Sequence, residues 1–300
     1  MAMQLRVTDG AITNRVLANL QGNLTRVGNL QEQLSSGKQI SRPSDSPTGT
    51  VSAMQLRGES RAVQQYTRNA SDGLGWLGVI DTALTSSLSQ TGKVRELVLQ
   101  GMSAGTASTP DAREALAAEV ENLRKSLIGV ANTKYLDRPV FGGTTTGERA
   151  FDGNGQFVGD TGTVMRTVGD NSKVQVDANG ATVFGANGAD SQLFTVLESI
   201  TNNLRGSNTA GLDADLQNLD VAIGTIKTNL ADVGARYNRI ETSRTAADDR
   251  LLNVKSKLSE IEDIDLPNTI MQMQLQQTAY QAALQATAKV IQPSLMDFLR

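Results

Sequence analysis

Three short patterns in the chain have the spacing of reactive sites, and each lacks a group its chemistry needs. Gly101-Met102-Ser103-Ala104-Gly105 matches the G-x-S-x-G of a nucleophile elbow. That elbow requires a strand before it, a helix after it and a histidine to take the serine proton. The chain has no histidine, and a helical pattern precedes Ser103. Ser35-Ser36-Gly37-Lys38 matches S-x-x-K, but the companion K-T-G is missing and Gly37 reads as a helix terminator. Asp152, Asn154 and Gln156 have the first spacings of a calcium loop. Phe157 stands where its glycine belongs and Thr163 where its closing glutamate belongs. Gly185 to Gly188 lacks the Lys and Ser/Thr of a phosphate loop. Cysteine is absent too, so no disulfide or thiolate is available. No catalytic, metal-binding or cofactor-binding residue is expected, and no cofactor. The remaining enzyme reading is a hydrolase working through Ser103.

The elements that would carry such groups point to a structural protein. Hydrophobic residues make up 39% of the 300, aromatic ones 4%. A core of Leu, Val, Ile and Ala suits helix-on-helix packing. The formal net charge of −3 gives no field for nucleic acid or an anionic membrane. There is no run of 18 apolar residues, so no transmembrane helix is expected. The first residues, MAMQLRVTDGAITNRVLANL, lack an apolar stretch behind a basic head, so no cleaved signal is expected.

One seam dominates. Leu212, Leu216, Leu219, Ile223, Ile226, Leu230, Val233, Tyr237, Ile240, Arg244, Ala247, Leu251, Val254, Leu258 and Ile261 follow one another in alternating steps of four and three. That is a helix packed lengthwise on others, roughly 75 Å long at 1.5 Å per residue. Arg244 is its one charged member. It could set register, touch a partner, or snorkel at the seam edge beside Glu241 and Asp248. Similar seams run through Val16, Leu20, Asn23, Val27, Leu30, Leu34 and through Val63, Thr67, Ala70, Leu74, Leu77, Asp81, Leu84, Leu88, Thr91. A shorter helix carries Leu116, Val120, Leu123, Leu127 and Val130, capped by Thr109 with Pro110 at its first position. Pro267 marks a break before a last helix.

Residues 142–190 hold 11 of the 28 glycines, and their apolar period turns to two. Asp177-Ala178-Asn179-Gly180 between short apolar runs predicts a hairpin, and Asp152-Gly153-Asn154-Gly155 a second turn. The expected fold is mainly α, an elongated helical bundle or coiled-coil rod built from the N- and C-terminal halves, with a small β-rich insert. Three parts are expected: a terminal coiled coil (1–44 and 264–300), a helical bundle (45–141 and 191–263), and a surface-exposed insert (142–190) that folds locally, apart from the seam.

The two ends carry little charge. Residues 1–31 hold Arg6, Asp9, Arg15 and Arg26; residues 266–300 hold Lys289, Asp297 and Arg300. Solvent-facing helices usually carry more Lys and Glu, so these ends read as interface. The expected interface residues are Val16, Leu20, Leu24 and Val27 with Ile270, Met273, Tyr280, Leu284, Ile291, Leu295 and Phe298.

An ordered series of motifs across both halves resembles the flagellin family. Leu34-Ser35-Ser36-Gly37, Arg68-Asn69-Ala70-Ser71-Asp72-Gly73 and Val94-Arg95-Glu96-Leu97 are similar to stretches of its first half. Ile261-Glu262-Asp263-Ile264-Asp265, the Gln-rich helix and Ser294-Leu295-Met296-Asp297-Phe298-Leu299 are similar to its C-terminal end. Pro43-Ser44-Asp45-Ser46-Pro47, Asn132-Thr133 followed by Phe141-Gly142-Gly143, and the ending Ser294 to Leu299 look more like the hook-associated members than flagellin itself. One departure is Ser46, where those members commonly have a second Asp. The resemblance implies a flagellar structural part exported by the type III apparatus without a cleaved signal, and so extracellular. It implies a ring of copies between hook-associated protein 1 and the filament of flagellin, and a cytoplasmic export chaperone. The alternatives are a short flagellin that forms the filament itself and a cytoplasmic coiled-coil scaffold.

Overall fold

A computed structural model describes residues 9–103, 109–145 and 147–291. The chain forms two compact units: residues 1–61 with 251–300, and residues 62–250. Its order is α1 (Asp9–Ser36), α2 (Pro47–Met102), α3 (Pro110–Ala131), β1 (Lys134–Tyr135), β2 (Arg138–Pro139), β3 (Met165–Gly169), β4 (Ser172–Gln175), α4 (Gly180–Phe184), α5 (Leu193–Arg205), α6 (Thr209–Glu262) and α7 (Leu266–Ile291). The mainly α fold with a small β part is the one expected.

The helix ends follow from the residues that stand there. Thr109 accepts from Ala112 N at 3.3 Å, with Pro110 at the first position of α3. Ser46 Oγ accepts from Gly49 N at 3.2 Å, ahead of Pro47 at the start of α2. Serine and aspartate both cap helices well, so the departure at Ser46 keeps the role. Asp265 Oδ1 accepts from Asn268 N at 3.2 Å, and Pro267 lies in the first turn of α7, where its missing N–H has no cost.

In the 62–250 unit, α2 and α6 run antiparallel. Thr67 donates to Asp248 at 3.2 Å and Arg95 pairs with Asp220 at 2.8 Å. The seam of α6 has two depths. Leu212, Leu219, Ile226, Val233, Ile240 and Ala247 are buried, while Leu216, Ile223, Leu230 and Arg244 are half-buried and Tyr237 is 40% exposed. The period of seven points one residue per two turns straight at the neighbouring helix and leaves the intermediate one at the edge. Arg244 pairs at 2.7 Å with Glu241 on its own helix. In α2 the expected Asp81 is exposed, and burial instead takes in Trp76, Ile80 and Ala83, because this helix is covered on more than one side.

The hairpin is not where Asn179-Gly180 predicts it. The observed one joins β3 and β4 through Asp170-Asn171, with Met165 opposite Gln175. Asn179 instead caps α4, its Oδ1 accepting from Ala181 N at 2.9 Å. An asparagine before glycine serves a helix start as well as a turn, and the packing decides. The turn at 152–155 is present, with Asp152 Oδ1 accepting from Asn154 N and Gln156 N at 2.9 and 2.7 Å. Those bonds occupy the carboxylate that the calcium-like spacing had suggested.

Residues 142–190 do not stand apart from the helical core either. Phe151, Val174, Val176, Val183 and Phe184 belong to the same buried cluster as Leu77, Ile80, Leu127 and Ile226. Asn132, at the end of α3, accepts from Ala150 N and Phe151 N and donates to Ile128 O and Phe151 O. Phe141 O accepts from Gly180 N at 2.9 Å, and a side chain on Gly143 (φ +72°) would collide with Asp160. The Asn132-Thr133 and Phe141-Gly142-Gly143 motifs are thus packing joints. Arg124, buried, donates to Phe194 O at 3.1 Å and pairs with Glu198 at 2.9 Å.

Asp177 is fully buried. Its Oδ1 accepts from Val164 N at 2.7 Å, and its Oδ2 has no hydrogen-bond partner. Burial pushes its carboxyl above the usual carboxylate range. A group with a raised pKa contributes stability that is present below its unfolded pKa and lost as pH rises through the folded one. Asp177→Asn should therefore raise the melting temperature at neutral pH, with the gain shrinking as pH falls toward the ordinary carboxylate value. Melting curves of both proteins across that window check it; a constant difference would contradict the buried-charge account.

Leu136 and Asp137 form the tight turn between β1 and β2 at φ +47° and +61°, and Leu136 is 73% exposed. A left-handed leucine costs about 1 kcal/mol or more, and asparagine less. Leu136→Asn should raise the melting temperature; a drop would show that the leucine makes a stabilising contact.

Candidate assembly interface

The residues with reactive spacing are not assembled into a site. A helix, α2, leads to Ser103, whose backbone N–H donates to Gln100 O at 3.3 Å; Ala104 and Gly105 lie outside the described residues. Ser35 and Ser36 end α1, and Gly37 at φ +70° terminates it. Lys38 pairs with Asp263 at 2.5 Å and Glu262 at 3.4 Å, which holds its ammonium above the ordinary value. Among the described residues no cluster of three acidic side chains could hold a metal ion, and no helix is long and apolar enough to cross a membrane. The cleft beside Glu32, Gln33, Arg42 and Asp45, about 620 Å³, is polar, with Arg42 paired to Glu32 at 3.2 Å.

What the 1–61 and 251–300 unit does offer is a pair of helices. α1 and α7 pack on each other, and Gln276 Nε2 donates to Asn23 Oδ1 at 3.1 Å. Val16, Leu20, Asn23, Val27, Leu30 and Leu34 of α1 are half-buried, as are Met273, Gln276, Tyr280 and Ala283 of α7. Leu24 (56% exposed), Ile270 and Leu284 stay open. Ile291 closes α7, but its side chain and all of Leu295 and Phe298 lie outside the described residues. Leu251, Leu258 and Ile261 of the seam are half-buried here and Val254 is buried.

The pair also exposes apolar residues outside the expected set. Leu17 on α1, with Leu266, Met271 and Leu275 on α7, is exposed, Leu275 at 72%. From 266 to 288 the chain has no charged residue. Soluble helices do not normally turn that much uncharged apolar surface to water. A repeat of Met and Leu one position off the first stripe was its only sequence signal.

Known proteins resemble this chain in sequence over most of its length. Residues 8–146 match the model of the bacterial flagellin N-terminal helical region and residues 216–299 that of the C-terminal helical region. The chain belongs to the bacterial flagellin family. It is 25% identical over 295 residues to flagellar hook-associated protein 3 of Escherichia coli K12, covering 91% of this chain and 92% of that one. It is 24% identical over 274 residues to flagellin of Bacillus subtilis 168, covering 87% and 88%. Its fold matches the crystal structure of the flagellar junction protein FlgL from Legionella pneumophila with a TM-score of 0.57 and 15% identity, over 70% of this chain and 99% of that one.

Proposed function

We propose that the chain is a structural subunit of the bacterial flagellum at the junction of hook and filament, with no catalytic role. The observation that carries this reading is the likeness to a hook-associated protein over nine-tenths of both chains. The outward face of α1 and α7 is then the polymerisation surface. Leu24, Ile270, Leu284, Met271 and Leu275 meet neighbouring subunits, and Val16, Leu20, Val27, Met273 and Tyr280 hold the pair together. The partners are copies of itself in a ring, hook-associated protein 1 on one side and flagellin on the other. Before export through the type III apparatus, without a cleaved signal, a cytoplasmic chaperone covers the charge-free stretch 266–288 of α7. Residues 1–44 and 264–300 serve as the assembly part, and the rest as the body exposed outside the cell.

A second reading, a short filament-forming flagellin, is favoured by the near-equal identity to flagellin. Immunogold labelling of intact cells separates the two. A band at the far end of the hook supports the junction, and label along the filament supports flagellin. Loss of the gene should leave hooks that shed flagellin monomers; hooks carrying normal filaments would sink the junction reading.

A further inference from the structure

α1 and α7 are poorly equipped to choose their own register. With no charged residue from 266 to 288, that part of α7 can form no ion pair with α1. Their facing residues are mostly Leu, Val, Ala, Thr, Asn and Gln at helical spacing. Helix pairs fix register through specific polar or charged positions, and the part-buried bond from Gln276 to Asn23 is a neutral one that holds register weakly.

A specific joint sits where the two helices begin to pair. Lys38 and Asp263 form an antiparallel bridge, with Gln39 N donating to Glu262 O at 2.6 Å and Ile264 N donating to Gly37 O at 3.2 Å. Glu262, 3% exposed, lies between two cations, Arg57 Nε at 2.8 Å and Lys38 Nζ at 3.4 Å. Lys38 also binds Asp263 at 2.5 Å. A buried carboxylate tolerates one arrangement of its partners, because any slip strands a charge away from water. The bridge lies just beyond the end of α1 and just before the start of α7. Asn23 and Gln276, which are hydrogen-bonded, stand at almost equal distances along the chain from it. The helix pair therefore continues the ladder that the joint begins.

We infer that Glu262, with Lys38, Arg57 and Asp263, is a register key: it positions α1 against α7 and so decides which apolar residues the pair turns outward to neighbouring subunits. The inference rests on the assembly reading. These are positioning residues, acting through the helices rather than touching a neighbour.

The chain has no cysteine, so thiol probes can be placed cleanly. Asn23→Cys with Gln276→Cys is the in-register pair; Asn23→Cys with Tyr280→Cys is displaced by one turn. Both are expressed as full-length chains in flagellated cells, and isolated flagella with their hooks are treated with a short bifunctional thiol reagent. The native background should favour the in-register link. Lys38→Glu should cut that preference by roughly fivefold, the scale of losing a charge pair and a little more. Lys38→Arg, which keeps a cation beside Glu262 and Asp263, should preserve it. Equal linking of both pairs in the native background, an unchanged preference in Lys38→Glu, or a loss in Lys38→Arg as large as in Lys38→Glu would each overturn the key. Immunoblotting the same flagella keeps the two readings apart. A native chain absent from flagella removes the assembly reading and the key with it; a chain present but unselective removes the key alone.

Discussion

Phe151→Ala is expected to destabilise the 62–250 unit by about 3–5 kcal/mol, the range for emptying an aromatic site in a packed core. Phe151 is fully buried. Its ring lies 5.1 Å from that of Phe194 and 5.5 Å from that of Phe184, both edge-on, and 5.4 Å from that of Phe157. Such contacts add to the area effect, and their neighbours come from separate segments that cannot collapse freely into the hole. The control is Val221→Ala, on an exposed face of α6, which should shift stability by no more than ~0.5 kcal/mol. Urea unfolding of the two variants reads the difference directly. Equal midpoints would mean that the phenylalanine cluster is not part of the cooperative core. The same geometry means that exchanging residues 142–190 for a short Gly-Ser bridge should unfold the unit. Removing them takes Phe151, Val174, Val176 and Phe184 out of the core and leaves Phe194, Leu77 and Ile226 uncovered.

The long helices were legible because their signal is repeated. The seam from Leu212 to Ile261 has fifteen members, and α6 spans Thr209–Glu262. A single misfit such as Tyr237 or Arg244 does not hide such a pattern. Thr109 with Pro110, and Pro267 near a helix start, were legible because capping and proline chemistry are local. The middle of the chain was not, because its order is set by contacts between distant residues. Asn179-Gly180 is compatible with a hairpin and with a helix start, and its neighbours Phe141 and Phe151 decide. The phenylalanine cluster draws on residues spread from 141 to 194, which no single window of sequence brings together. Nothing in its own window marks Arg124 as buried, and Asp177 reads as part of a turn, yet the fold buries both. Val16, Leu20, Val27, Met273 and Tyr280 follow one stripe on α1 and α7, and the structure half-buries them. Leu17, Met271 and Leu275 lie off that stripe on the same helices, and a search for one amphipathic face passes over them.

Truncation before Leu266 is expected to abolish assembly while leaving the 62–250 unit folded. Removing α7 uncovers Val16, Leu20, Asn23 and Val27 on α1 and deletes the outward Met271 and Leu275 together. A lone α1 of 28 residues, rich in Asn and Gln and without a packing partner, has little to hold it in water. The 62–250 unit loses nothing it uses: its buried cluster runs from Ala70 to Ile240 and includes no residue of α1 or α7. The truncated chain should therefore keep its thermal transition for that unit. Its helical signal should fall only by the share of the two end helices. In the cell it should fail to bind the proposed chaperone, because the apolar, charge-free segment that a chaperone would grip is gone. It should also leave hooks without attached filaments. Circular dichroism, chaperone co-purification and electron microscopy of the cells read the three consequences separately. A truncated chain that still supports normal filaments would sink the assignment of α1 and α7 as the assembly surface. Loss of the 62–250 transition would instead show that the two units fold as one, so that the failure to assemble says nothing about the surface itself.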